Sequence, residues 1–382
     1  MAEPLKNSFG PQVPRTLASL LAVAHSDFDA EGFVAAALHG YEELELMPRA
    51  WQVARALRPF LPADPVVAVE VVTRAVEPEL SLPRRQGMEG FVYLPLTLFV
   101  GEYGLEALEV SLRAQHVLTR LFTAEFGIRP FLVHHPAATL SRLREWTSDP
   151  DPHVRRLVSE GTRPRLPWAA RLSRYVDDPT PVLALLELLK DDPEDYVRRS
   201  VANNLNDISR DHPGTVLRVC RDWMEGAGPE RRALVRHALR TLVKRGDADA
   251  LAILGFGRGS SVEVEARLSP EVVTIGETLR VELLLRNPGE GRERVAVDLR
   301  VHFVKAGGEL RPRVFKGAEV ELEPGAEQRI RRTISLRQHT TRTHHPGDHA
   351  LEVMVNGEAR PPLPFLVQAA AGSAGAPREA AP

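Results

Sequence analysis

Apolar positions recur at spacings of three and four along the first 255 residues or so. Segments 47–61, 64–76, 105–124, 181–190 and 214–224 each carry such a stripe, with Pro, Gly or Asp between them. This is the pattern of short amphipathic helices in series. The period changes at FGRGSS (256–261). Beyond it Leu279, Val281, Leu283 and Leu285 alternate with other residues, as do Val295, Val297, Leu299, Val301 and Phe303, then Val320/Leu322 and Leu351/Val353/Val355. Turn signals NPG (287–289), AGG (306–308) and PG (324–325) separate these runs. Seven or eight short strands in roughly 110 residues predict a β-sandwich of immunoglobulin-like architecture, without the Cys and Trp core of antibody domains.

The helical part carries a repeat. DPDPHVRR (149–156) returns as DPEDYVRR (192–199), 43 residues on, and a weaker copy, ERRALVR (230–236), places its Val-Arg pair 38 residues further. That period belongs to HEAT-type helical repeats, which stack into extended binding surfaces. The expected fold is therefore multidomain: an all-α HEAT-like repeat solenoid over 1–258, then an all-β immunoglobulin-like sandwich over 259–368. The Ala-, Gly- and Pro-rich tail, 369–382, is expected to be disordered.

Composition narrows the setting. The single cysteine, Cys220, excludes a disulfide framework and a cysteine-rich zinc site, so a reducing cytoplasm is the expected location. No apolar run has the length of a membrane span, and the apolar stretch 17–24 reads as a first helix and not a secretory signal. The net charge of −2 hides an asymmetry: residues 1–110 hold 8 Lys/Arg against 15 Asp/Glu, residues 111–245 hold 23 against 17, and the remainder 18 against 19. The basic balance coincides with the repeats and points to an anionic partner, although a solvated helix face would give the same count.

Four residues of the repeat region suggest chemistry: Glu125, Glu160, Trp168 and Asp207. A single carboxylate at a helix end ordinarily caps or pairs, and a single Trp ordinarily fills a core. Together they form a coherent set, because carboxylates beside an aromatic face stabilise a developing cation by charge and by cation–π attraction. Such a set suits cleavage of an N-glycosidic bond, where the sugar becomes oxocarbenium-like and a carboxylate can orient water.

The segments PLKNSFG (4–10), EFGIRPF (125–131), SEGTRPRLPW (159–168) and DPEDYVRRSVANNLNDISRDHP (192–213) resemble the AlkC branch of the AlkC/AlkD DNA glycosylases. The resemblance implies a HEAT-like enzyme that removes alkylated bases from DNA, with an appended immunoglobulin-like domain that touches DNA. Carried across by motif, it implies that Glu125, Glu160 and Asp207 line the lesion's deoxyribose and that Trp168 is the aromatic wall. It also implies that the lesion stays stacked, unlike in enzymes that extrude the base. A cationic base such as N3-methyladenine or N3-methylcytosine is already a good leaving group, so no general acid is needed.

Arg155, Arg156, Arg163, Arg165, Arg198, Arg199 and Arg210 are candidates for phosphate contacts. Adjacent arginines diverge by about 100° on a helix, so one of each Arg-Arg pair is expected to engage the preceding Asp-Pro loop. In the sandwich, RQHTTRTHHPGDH (337–349) is a cationic turn in which Arg342 would enter a minor groove flanked by His344 and His345; a metal site or a solvated hairpin are the rival readings. No Walker loop, GxGxxG, HExxH or cysteine set is present, so no cofactor is expected. Lys190 and Lys244 are the only lysines between 111 and 245, which predicts hydrolysis without strand cleavage. The expected partner is double-stranded DNA with alkylated bases, bound by a monomer. The competing reading is a non-enzymatic HEAT scaffold that binds a protein or DNA.

Overall fold

A computed structural model describes residues 5–85, 87–257, 260–338 and 343–369. Arg342 and most of the expected tail, 370–382, lie outside the described residues. The described chain holds sixteen α-helices followed by nine β-strands.

Most helices begin as their sequences dictate. Asp64 caps the helix Pro65–Val76 by accepting from the N–H groups of Val66 and Val67, and Asp151 caps Pro152–Gly161 by accepting from that of His153. In both, proline occupies the first turn, where its missing N–H costs nothing. The 47–61 stripe does not run through as one helix: Leu46–Ala56 ends and a short 3-10 turn, Arg58–Phe60, follows at Pro59.

Five helices register the repeat in space. Pro65–Val76 packs on Leu108–Leu121, which packs on Pro152–Gly161; that helix packs on Asp195–Ile208, which packs on Pro229–Ala238. Each buries one apolar stripe, as Val154, Leu157 and Val158 do in one and Val197, Val201, Leu205 and Ile208 in the next. The Asp-Pro loops repeat in detail. Arg155 donates to the carbonyls of Asp149 (2.8 Å) and Pro150 (3.1 Å), and Arg198 donates to those of Asp192 (2.6 Å) and Pro193 (2.8 Å).

The strands are β1 (Glu263–Ser269), β2 (Val272–Thr274), β3 (Thr278–Arg286), β4 (Glu293–Val304), β5 (Leu310–Leu322), β6 (Glu327–Ser335), β7 (Gly347–Val355), β8 (Glu358–Ala359) and β9 (Leu363–Gln368). They form a three-stranded sheet, β1-β3-β6, and a second sheet, β2-β9-β7-β4-β5, with β8 on β7. The pairs are antiparallel except β2 with β9. Their alternating apolar residues, among them Leu279, Val281, Leu283, Val297, Leu299, Val301, Leu351 and Val353, close one core between the sheets.

The chain divides into two compact units, Met1–Val216 with Gly226–Ala238, and Leu217–Glu225 with Leu239–Pro382. The unit containing the sandwich thus begins before the hydrophobic period changes. Asn356 shows why: its Nδ2 donates to the Gly257 carbonyl (2.7 Å) while its Oδ1 accepts from the Ala296 N–H (2.7 Å). Gly357, at φ +84°, lies so close to the preceding helical segment that a Cβ would meet Gly246 O at 2.6 Å and Ala248 Cα at 2.8 Å. The helices Arg240–Lys244 and Ala248–Ile253 accordingly belong with the strands.

Candidate active site

Glu160 occupies the last turn of Pro152–Gly161 and Asp207 the last turn of Asp195–Ile208, and both are almost wholly buried. Arg163 joins them, donating from Nη1 to Glu160 Oε1 (2.6 Å) and from Nε to Asp207 Oδ2 (2.8 Å). The other Glu160 oxygen, Oε2, accepts from Ser200 Oγ (2.6 Å) and lies 3.5 Å from Arg156 Nη2. Burial pushes the Glu160 carboxyl upward, but the charges of Arg156 and Arg163, with hydrogen bonds from Ser200 and Arg163, outweigh it and hold the pKa below its ordinary value. Glu160 is therefore an ionised, fully engaged carboxylate.

Glu125 comes from a turn. Its Oε2 accepts from Thr123 Oγ1 (2.7 Å) and from Arg156 Nη1 (2.8 Å), and Arg156 Nη1 also donates to Thr123 Oγ1 (2.9 Å). Two glycines let this turn lie close to its neighbours. A Cβ at Gly127 would meet Thr97 O at 2.3 Å, and one at Gly101 would meet Gly127 O at 2.8 Å. Arg156 thus spans Glu125 and Glu160 as Arg163 spans Glu160 and Asp207. Three carboxylates from three segments are threaded on two guanidiniums.

Trp168 follows in the turn after Pro152–Gly161. It is 63% exposed and holds a φ of +63°, a left-handed conformation that a bulky side chain adopts only at a cost. The loop beneath it is fixed by Arg129, a residue the sequence did not single out. Arg129 donates to the carbonyls of Gly161 (3.0 Å), Arg163 (2.8 Å) and Ala170 (2.6 Å). Burial, joined by the neighbouring Arg163 charge, lowers its pKa to about 10 against the opposing pull of Glu125 and Asp207. It stays charged at neutral pH. The available signal was its place in EFGIRPF, where an arginine follows an apolar residue and precedes Pro130.

The arginines expected at phosphates divide. Arg155 forks onto both Asp192 oxygens (2.6 and 3.0 Å), and Arg165 forks onto both Asp211 oxygens (2.8 and 2.7 Å). Arg163 is 8% exposed and held by two carboxylates, so its placement departs from the outward orientation expected of it. Arg156 is likewise turned onto Glu125 and Glu160, because its helix face looks along the repeat row and not into solvent. Arg199 and Arg210 are exposed, with no ion pair among the described residues. In the sandwich, His344 is a second departure. It is 4% exposed with its ring 5.3 Å from that of Phe303, so the imidazole faces inward and is not presented to a groove as expected. His345 is half-buried, and its carbonyl accepts from His349 Nε2 (3.0 Å).

Comparison with known proteins gives the family. Residues 122–242 match the family described as DNA alkylation repair enzyme, and residues 263–369 match that described as the C-terminal Ig-like domain of the uncharacterised protein YhaZ. The chain is 34% identical over 365 residues to YhaZ of Bacillus subtilis (strain 168), covering 95% of this chain and 99% of that protein. It is 36% identical to the Pseudomonas fluorescens alkylpurine DNA glycosylase AlkC, solved bound to DNA containing an abasic site analogue; the match covers 96% of this chain and 100% of that one, with a TM-score of 0.77. No helix among the described residues is long and apolar enough to cross a membrane. Likeness along nearly the whole chain, with the carboxylates gathered inside the matched helical region, places this protein in the AlkC-type branch of the DNA alkylation repair glycosylases, with a C-terminal immunoglobulin-like domain.

Proposed function

We propose that this protein is a monofunctional DNA glycosylase that hydrolyses the N-glycosidic bond of cationic alkylated bases, N3-methyladenine and N3-methylcytosine, in duplex DNA. It acts as a monomer in the cytoplasm, opening base excision repair. The observation that carries the reading is the set of three carboxylates, Glu125, Glu160 and Asp207, gathered through Arg156 and Arg163, with the exposed Trp168 in the turn that follows Glu160.

Loss of a cationic base needs no proton donor. What it needs is negative charge and a π face where the sugar becomes oxocarbenium-like, and an oriented water. An ionised Glu160 supplies the charge. As the resemblance to the AlkC branch implies, the lesion is attacked without base flipping. The supporting chemistry also predicts poor activity on neutral lesions.

The test is release of free N3-methyladenine and N3-methylcytosine from methylated duplex DNA by the wild type and by Glu160→Gln and Asp207→Asn. Release that collapses in either variant while DNA binding persists supports the reading. No release by folded wild type overturns it in favour of a non-enzymatic scaffold.

A further inference from the structure

Beside the carboxylates lies a second constellation: Arg84, His153 and Tyr196. Tyr196 stands at the repeat position of His153, 43 residues on, each immediately before a Val-Arg-Arg step. Their rings meet edge-on with centroids 5.4 Å apart. Tyr196 remains 43% exposed, although it sits where neighbouring repeats pack. The Arg156 guanidinium lies over its ring, 5.2 Å from the centroid.

Arg84 backs this pair from a distant part of the chain. Its Nε donates to the Leu121 carbonyl (3.0 Å), and its Nη1 lies 2.6 and 2.8 Å from the nitrogens of the His153 ring, which in turn meets that of Tyr196. A guanidinium donates to imidazole only where a ring nitrogen is unprotonated. Burial first, then the charges of Arg84 and Arg156, depress His153 to about 4, with Asp151 opposing, so the ring is neutral. A neutral ring lets two cations share one side of the site.

We propose that Tyr196, backed by Arg84, is a positioning residue for the reaction, its ring holding the Arg156 guanidinium in the fork between Glu125 and Glu160. The inference rests on the glycosylase reading above. Arginine carries large rotamer freedom, and Glu125 sits on a turn with Thr123 and Arg156 as its hydrogen-bond donors. A π face on one side of the guanidinium removes that freedom without competing for its N–H groups. Loosening Arg156 then loosens Glu125 and withdraws positive charge from Glu160.

Arg156 on its own helix, Arg163 in the turn after it and the Ser200 hydroxyl set Glu160; Asp207 on Asp195–Ile208, Glu125 beyond Arg156 and Arg129 behind Arg163 are the other charged groups around it. The experiment compares wild type, Tyr196→Leu and Tyr196→Phe. It measures single-turnover release of N3-methyladenine from methylated duplex DNA across pH, affinity for duplex with a stable abasic analogue, and thermal melting. Tyr196→Leu is expected to slow release about tenfold and to move the acidic limb of the rate profile to higher pH, with affinity and melting little changed. Tyr196→Phe, which keeps the ring, is expected to recover most of the rate and the wild-type limb.

A Tyr196→Leu profile like that of wild type overturns the proposal, as does a Tyr196→Phe variant as slow as Leu, or a rate loss that merely follows a fall in melting temperature. An inactive wild type overturns the glycosylase reading, and this inference with it. An active wild type with an indifferent Tyr196 overturns this inference alone.

Discussion

Glu160 and Asp207 are joined by one guanidinium, that of Arg163, which reaches the first at 2.6 Å and the second at 2.8 Å. All three are buried, so their charges depend on one another for compensation. Replacing Arg163 by Leu strands the buried Asp207 and takes one of two guanidiniums from Glu160, and is expected to destabilise the helical unit by about 3–5 kcal/mol. Adding Asp207→Asn to that variant removes the stranded charge and should restore part of the loss. Urea unfolding followed by helical circular dichroism tests both statements; a single variant as stable as wild type would contradict them.

Acid should weaken the helical unit in two stages. His153 has a folded pKa depressed to about 4 from 6.5, so the unfolded chain takes up a proton first and stability falls as pH drops from about 6.5 towards 4. Discounted for the ring's partial exposure, this amounts to about 1 kcal/mol at pH 5. Glu160, also depressed, contributes stability that is complete above its ordinary carboxylate range and lost only as pH falls through its lower folded value. Unfolding of His153→Phe between pH 7 and pH 5 should lack the first stage; an unchanged slope would exclude His153 as its source.

Trp168 holds a left-handed backbone that costs about 1–3 kcal/mol for a side chain of its size. Trp168→Gly relieves that strain and removes the aromatic face together. The expected result is a protein at least as stable as wild type whose base release is severely reduced. A melting temperature that falls with the rate would show Trp168 to be a packing residue.

Salt dependence should sort the arginines. Arg199 and Arg210 are exposed without ion pairs among the described residues, whereas Arg155 forks onto Asp192. Substituting Ala at Arg199 or Arg210 is expected to lower the slope of log affinity against log salt by about 0.9 for each phosphate no longer neutralised. Arg155→Ala should leave that slope alone and cost stability. The opposite pattern would exchange their assignments.

Gly357 tests where the second unit begins. At φ +84°, with Gly246 O and Ala248 in the path of any Cβ, Gly357→Ala should both strain the turn and push the 240–257 segment from the strands. We expect about 2 kcal/mol or more of destabilisation. A fragment beginning at residue 239 should melt above one beginning at residue 260; equal melting would return the boundary to the change of period.

Much of this was legible along the chain. The helices and strands follow from periods near 3.6 and 2, which depend only on which residues face a core. The Asp-Pro starts and the 43-residue return of Val-Arg-Arg follow from capping and from repeated packing, so the repeat, the change of fold class and the segments bearing Glu125, Glu160, Trp168 and Asp207 could be read directly. Partnership could not. Arg163 and Arg165 are two residues apart in one motif, yet one is buried between two carboxylates and the other forks onto Asp211 near the surface. His344 and His345 are adjacent, yet one imidazole packs under Phe303 and the other is half exposed. Arg84, Arg129 and Tyr196 reach the site from positions 45 to 112 residues apart. The sequence by itself determined the elements and the inventory of charges, because those depend on local spacing. Only the tertiary structure decided which guanidinium meets which carboxylate, because a long side chain settles by the desolvation and pairing it finds in space.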